Sequence, residues 1–521
     1  MVITAAPARS RSMEIFEVIP LPPAAFSPLT TIKSIFSCSF SAANRAMTAF
    51  RPGSPTMSPK NRILIILINL CYRIPGRQPP GEFNQVPAGR QQDLLVTMPC
   101  SLRKTSILCS LGAALIIGCV YLWLQQFPRL SEHSLVPDPD PRLADLGKAS
   151  DWSALKRYDG VLSRDEFDTA LQDIYLLGPN RHFDITNEGV RVASAISQHV
   201  PRVAFAQGES RTSPPRYWRP ASELSLAPEG RPLDGVRIAI DPGHIGGEWA
   251  QMEERWYQIE ETTPVTEGDM TLLTAKLLAP DLEALGAAVT LVRSSPDPVT
   301  ELRPDDLRGY AERLLSGAPE EKIISLSERL FYRTAEIRAR ARLINNTIRP
   351  DLVLCLHFNA ENWGPTPRKP RLSPRNHFHI ILHGAYLDSE IAHEDERFEL
   401  MHKVFQGTHE EEAALAEVMA TSFLKETGLP AYLYSIGRPT KRIGPALWAR
   451  NLLANRLYQC PVLFLEPYVM NNNEVYERIQ LGDYEGEREV AGSRRRSIYR
   501  EYRDAVLTGL RTYYEFRRPT K

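Results

Sequence analysis

Val236-Arg237-Ile238-Ala239-Ile240-Asp241-Pro242-Gly243-His244-Ile245-Gly246-Gly247 is an apolar, β-branched run that stops in an Asp-Pro-Gly turn and presents a histidine just beyond it. Such a run reads as a buried strand ending in a functional loop. Ligands collect at the carboxyl ends of strands in open α/β sheets, and glycine lets a backbone approach a metal or substrate closely. His244 is therefore a candidate metal ligand. The same arrangement recurs at Asp351-Leu352-Val353-Leu354-Cys355-Leu356-His357-Phe358-Asn359-Ala360, where a second apolar strand ends in His357. Two strands delivering histidines to one sheet edge form a metal-site pattern.

Around these two strands the periodicity predicts strand 236 to 241, helix 269 to 285, strand 287 to 293, and a long helical stretch from 320 to 347. After the strand at 351 to 357 come a strand at 376 to 382, helices at 410 to 427 and 446 to 457, a strand at 462 to 465 and a final helix from 493 to 516. Alternating strands and helices specify an α/β domain over 233 to 517, with a mostly parallel or mixed central sheet and helices on both faces.

Upstream, residues 1 to 97 are rich in Pro, Ser, Ala and Arg and lack a sustained period, so they read as disordered, or as a mis-assigned extension preceding a start at Met98. From Met98 a basic pair, Arg103-Lys104, precedes the uncharged run Ile107 to Leu124. That reads as a signal anchor over 98 to 127, since about 20 apolar residues span a bilayer. Ile116-Ile117-Gly118-Cys119 also resembles a lipobox, with Cys119 as the lipid-bearing residue, although the apolar run continues past the cysteine. Both versions place the rest of the chain outside the cytoplasmic membrane, in the periplasm or cell envelope of a bacterium. A linker (128 to 150), a small helical subdomain (151 to 205) with Ser163 as N-cap, and a Pro-rich linker (206 to 232) lead into the main domain.

The 62 basic and 62 acidic residues balance, which leaves no case for nucleic acid as a partner. Of the seven cysteines, only Cys355 and Cys460 fall in the folded part, each in or beside an apolar strand. They read as buried small hydrophobes.

Five motifs in order make the chain from about 233 to 515 resemble the zinc-dependent N-acetylmuramoyl-L-alanine amidases of cell-wall metabolism. They are the Asp241-Pro242-Gly243-His244 turn, Glu267 opening the next helix, the strand ending in Val292-Arg293, His357-x-Asn359 after the arginine-bearing helix Ile337 to Asn345, and Leu465-Glu466-Pro467-Tyr468. The resemblance implies zinc held by His244, Glu267 and His357, with Glu466 catalytic. It also implies peptidoglycan as partner, hydrolysis of the amide between N-acetylmuramic acid and L-alanine, and room for a protein activator. Two imidazoles and a carboxylate are in any case the usual three-ligand set of a catalytic zinc, with a fourth position open. Departures are Cys355-Leu356 for the usual Ser-Ile, and Pro467-Tyr468 for Gly-Phe.

Plainer readings stand beside these. Glu267 also suits a helix N-terminus, and Glu466 also suits an ion pair with Arg340 or Arg450. The histidines at 377, 379, 383, 393, 402 and 409 read as a solvated helix face rather than a second metal site. Asn359, Trp249 and Trp256 are candidate substrate contacts. An insertion at about 385 to 409 is expected to restrict access to the zinc. Alternatives are a zinc amidase or peptidase with another amide substrate, or a non-catalytic wall-binding protein; the latter should lack a ligand or the acid.

Overall fold

The computed structural model describes residues 142–519 except 196, 198 and 209. The anchor at 98 to 127, Cys119 and the extension 1 to 97 lie outside the described residues. No described helix is long and apolar enough to cross a membrane.

A small unit comes first. Helix α1 (Arg164–Ala170) carries the expected cap: Ser163 and Glu166 form a reciprocal capping box. Where a purely helical subdomain is expected, three short strands follow, β1 (Phe183–Ile185), β2 (Gly189–Val192) and β3 (Val203–Ala204), in an antiparallel sheet. Runs of two to four residues are too short to show a period. The Pro-rich stretch after it is tied down: Trp218 is buried and Arg219 bonds Asp351.

The main sheet has seven strands. They are β4 (Arg237–Pro242), β7 (Ala288–Leu291), β8 (Leu352–Leu356), β9 (Phe378–His383), β10 (Lys441–Gly444), β11 (Leu447–Arg450) and β12 (Val462–Pro467), in the order β10-β11-β9-β12-β8-β4-β7. β7, β4, β8 and β12 are parallel; β9 and β11 run against them. A mixed sheet results. A hairpin of β5 (Trp256–Tyr257) and β6 (Val265–Thr266) lies between β4 and the next helix.

Alternation sorts the strand residues onto two faces. Ile238, Ile240, Leu354, Ile380, Leu463 and Leu465 pack with helices α2 (Glu267–Ala284), α7 (Thr408–Thr427) and α10 (Ile498–Arg517). Ala239, Val353, Cys355, Ile381, Val462 and Phe464 pack on the other side, against α5 (Glu336–Leu343) and α8 (Leu453–Leu457). By the same alternation His357, Glu466 and His379 share this second face. Both cysteines of the domain are free and buried, as expected.

Helix α3 (Pro304–Leu314) has no counterpart in the expectation, whereas the long helical stretch is there. It runs as α4 (Glu320–Arg329), a wide turn at Leu330–Ala335, α5, and a second wide turn at Ile344–Ile348. The expected helix at 446 to 457 is instead β11 followed by α8, because Leu447 to Arg450 pair with β9. At the end, helix α9 (Asn473–Gln480) precedes a hairpin of β13 (Glu487–Val490) and β14 (Ser493–Arg496), which takes the first residues of the expected last helix.

The insertion at 385 to 409 does not lie over the site. β9 is antiparallel to β12, with His379 opposite Glu466 and Ile381 opposite Phe464, so its end at His383 lies by the start of β12. From that far end the chain makes a single turn at Asp388–Ile391 and helix α6 (Glu394–Gln406). Leu400, Met401, Val404 and Phe405 of α6 share a core with Leu155, Tyr158, Phe167 and Phe205 of the small unit. The segment is the partner that completes the small unit's core, which corrects the expected restricting role.

Candidate metal centre

β4, β8 and β12 end side by side. Pro242 is in register with Leu356, and Leu356 with Leu465, so the residues leaving these strands emerge at one edge. His244 comes two residues past β4, His357 one past β8, and Glu466 one after Leu465. The His357 N–H donates to the Leu465 carbonyl at 3.0 Å, which locks the last two together. Glu267 arrives from above as the first residue of α2.

The β4 turn is held from several sides. Arg340 of α5, 3% exposed, donates to Asp241 Oδ1 (2.9 Å), to the Pro242 carbonyl (2.8 Å) and to the His244 carbonyl (2.8 Å). It is a clamp on the loop, and its other partner is Glu336 rather than Glu466. Thr271 donates to the Gly243 carbonyl at 2.7 Å, and Arg293 to the Gly268 carbonyl at 2.7 Å. A side chain at Gly243 would run into the His357 ring, so that position needs glycine. His244 itself takes a left-handed backbone, φ 62°, a costly choice for a residue with a side chain, and one that places its ring beside His357.

The three donors converge. His244 Nε2 lies 3.2 Å from Glu267 Oε2, and His357 Nδ1 lies 3.1 Å from Glu267 Oε1. One ligand atom from each residue falls within 4.8 Å of the others, and no other such cluster exists among the described residues. Tetrahedral zinc with N and O bonds of about 2.0–2.1 Å sets its donors roughly 3.3 Å apart, so the set fits that ion. The imidazoles meet edge to face at 4.8 Å, and His357 stacks on Phe464 at 4.1 Å. Even a protein cation is drawn in: Arg255 Nε lies 3.4 Å from Glu267 Oε2.

The charges respond to this crowding. Burial pushes the Glu267 carboxyl up, but His244 and His357 outweigh it and hold the group well below the usual carboxylate range. Burial lowers His244, and Glu267 and Glu253 overcome it, raising the imidazole to about 9. Burial dominates at His357, which is lowered. At Glu466 burial comes first and repulsion from Glu267 second, so its carboxyl is raised well above its ordinary value. Glu466 directly follows Leu465, whose carbonyl accepts the His357 N–H.

Glu253 escaped the sequence reading. Its Oε1 takes His244 Nδ1 at 2.8 Å and its Oε2 accepts from the Ile245 N–H at 2.7 Å. A carboxylate on one imidazole nitrogen orients the other toward a metal. The only signal for it was an acid within ten residues of the histidine. Trp249 is half-buried and packs on Phe331 at 5.4 Å beneath Arg303. Trp256 lies under Arg368 in the β5–β6 hairpin. The Asn359 side chain binds its neighbours rather than projecting free. The six histidines are also corrected in part: His377, His379 and His383 lie on or before β9, and these three and His402 are buried.

No protein-family model matches the chain, and no curated protein matches it. Among solved structures it is similar to the N-acetylmuramyl-L-alanine amidase Ami1 of Mycobacterium abscessus, at 18% identity and TM-score 0.31, over 54% of this chain and 99% of that one. The Ami1 amidase of Mycobacterium smegmatis follows at 17%, TM-score 0.31, 54% and 98%. The CwlD amidase of Clostridioides difficile, solved with the GerS lipoprotein, follows at 13%, TM-score 0.31, 54% and 99%. At such identities and scores the chemistry has to come from the four side chains themselves. The chain is thus similar, over about half its length, to solved cell-wall amidases.

Proposed function

We propose that the chain is a zinc-dependent amide hydrolase of the bacterial cell envelope that cuts peptidoglycan between N-acetylmuramic acid and L-alanine. The observation that carries the hydrolase reading is the convergence of His244, Glu267 and His357 with Glu466 at the end of the adjoining strand. The substrate rests on the resemblance of the motifs from Asp241 to Tyr468.

A zinc ion held by the three side chains would supply Lewis acidity to the scissile carbonyl and acidify a water. Glu466 takes the proton from the attacking water and delivers it to the leaving amine. Burial and the Glu267 charge raise its affinity for a proton, which suits the delivery. Glu253 holds the His244 ring, and Arg340 holds the loop beneath it. Trp256 pairs with Thr266, the residue before Glu267, and carries Arg368 on its ring.

The test is zinc content and peptide release from purified peptidoglycan, comparing the full chain with its Glu466→Ala variant. The parent should hold one zinc and free peptides with an N-terminal alanine; the variant should keep the metal and lose a factor of roughly 100 to 10,000 in rate. Freshly prepared parent protein without zinc would overturn the site. A parent that holds zinc and cuts other amides would favour the second substrate class.

A further inference from the structure

The sheet face that carries His357 and Glu466 also carries a buried imidazole that the metal centre does not use. His379 stands opposite Glu466 in the β9–β12 register and is 4% exposed. Its Nδ1 lies 3.4 Å from Asn359 Nδ2, and its Nε2 lies 3.0 Å from the Tyr434 hydroxyl.

The direction of this chain follows from its far end. The Ala360 N–H can only donate, and it meets the Asn359 side chain at 2.7 Å. The atom it meets is therefore the carbonyl Oδ1, and the group facing His379 is the NH2. An NH2 donates, so His379 Nδ1 accepts. Burial keeps the ring neutral, far below its ordinary pKa, which leaves the single ring proton on Nε2. Nε2–H then donates to the Tyr434 oxygen. With its oxygen accepting from His379, the phenol keeps its own hydrogen to donate.

Tyr434 lies one hydrogen bond beyond the residue that stands opposite Glu466. The segment bearing Tyr434 runs past the start of β9, through Phe378 N–H to the Pro430 carbonyl (3.0 Å) and Tyr432 N–H to the Phe378 carbonyl (2.8 Å). The ring is braced edge-on against Trp448 at 5.0 Å and Tyr432 at 4.8 Å. The hydroxyl feels the charge of Glu466, and the residue is half-buried.

We propose that the Tyr434 hydroxyl contacts substrate, donating to a carbonyl or carboxylate oxygen of the bound peptide beside Glu466, and that His379 and Asn359 are positioning residues that aim it. The inference rests on the hydrolase reading. Tyr434→Phe removes only the hydroxyl from a half-buried ring, and kcat/KM for peptide release from muramoyl peptides should fall about tenfold with zinc content unchanged. His379→Phe should lose as much, and the double variant no more than either single, because the residues act as one unit. His379→Gln, which accepts and donates in the same places, should recover most of the loss. A Tyr434→Phe enzyme at parental kcat/KM, or losses that add in full, overturns the proposal. The 15N spectrum of labelled histidine gives a readout apart from turnover: His379 should carry its proton on Nε2, and the opposite tautomer overturns the chain's direction. A parent that releases nothing from muramoyl peptides overturns the hydrolase reading and the substrate contact with it, while the tautomer still judges the hydrogen-bond chain by itself.

Discussion

At the scale of the residue, Glu253 fixes the His244 imidazole without itself joining the three candidate ligands. With its carboxylate on His244 Nδ1, the imidazole keeps one orientation. Glu253→Gln should lower zinc affinity by about 10- to 100-fold, read by competition with a chromophoric chelator; unchanged affinity would remove Glu253 from the site. The meeting of His244, Glu267 and His357 was legible in the sequence because each sits where a periodic run stops or a helix begins. Glu253 and Tyr434 were not. Both lie in irregular segments, where no period says which way a side chain points. His379 was misjudged because its acidic neighbours further along, Glu394 to Glu396, suggested a solvated helix, while the residue itself belongs to β9.

At the scale of the element, Asp351 ties three pieces of chain together just ahead of β8. Its fully covered carboxylate accepts from Arg219 and Arg237, both by side chain and backbone. Burial pushes its pKa up, and the two arginines outweigh this and bring it below the ordinary value. A folded-state pKa below the unfolded one means stabilisation that is complete above the unfolded value, about 3.9, and lost as pH falls through the folded value. Asp351→Asn should therefore cost about 3 kcal/mol near neutral pH in denaturant titrations, at the low end for a buried pair because both arginines are partly exposed. The gap to the parent should close in strong acid; a constant gap would point to packing instead. The long strands and helices of the core were legible at this scale, since runs such as Leu352–Leu356 are apolar throughout. The short elements were not: β11 shares its composition with a helix start, and only its pairing with β9 decides the matter.

At the scale of the whole molecule, the insertion at 385 to 409 and the small unit are two halves of one core. Phe405 stacks on Tyr158 at 5.6 Å and on Phe167 at 5.4 Å. Phe405→Ala should cost about 3–5 kcal/mol in thermal or denaturant unfolding. Deleting 385 to 409 should yield a poorly folded chain rather than a faster enzyme; a folded, more active deletion would restore a covering role for the segment. The sequence could not reveal this partnership, because the two halves lie some two hundred positions apart and neither is periodic enough to declare a missing face. The order of strands has another effect. β12, which brings Glu466, is the last strand of the main sheet to be synthesised, yet it sits near the centre, between β8 and β9. Without Val462 to Pro467, β8 and β9 have no strand between them, and Glu466 is missing beside His244, Glu267 and His357. On the proposed function, hydrolysis therefore waits on the last strand of the sheet to enter, so the final step of folding also completes the catalytic set.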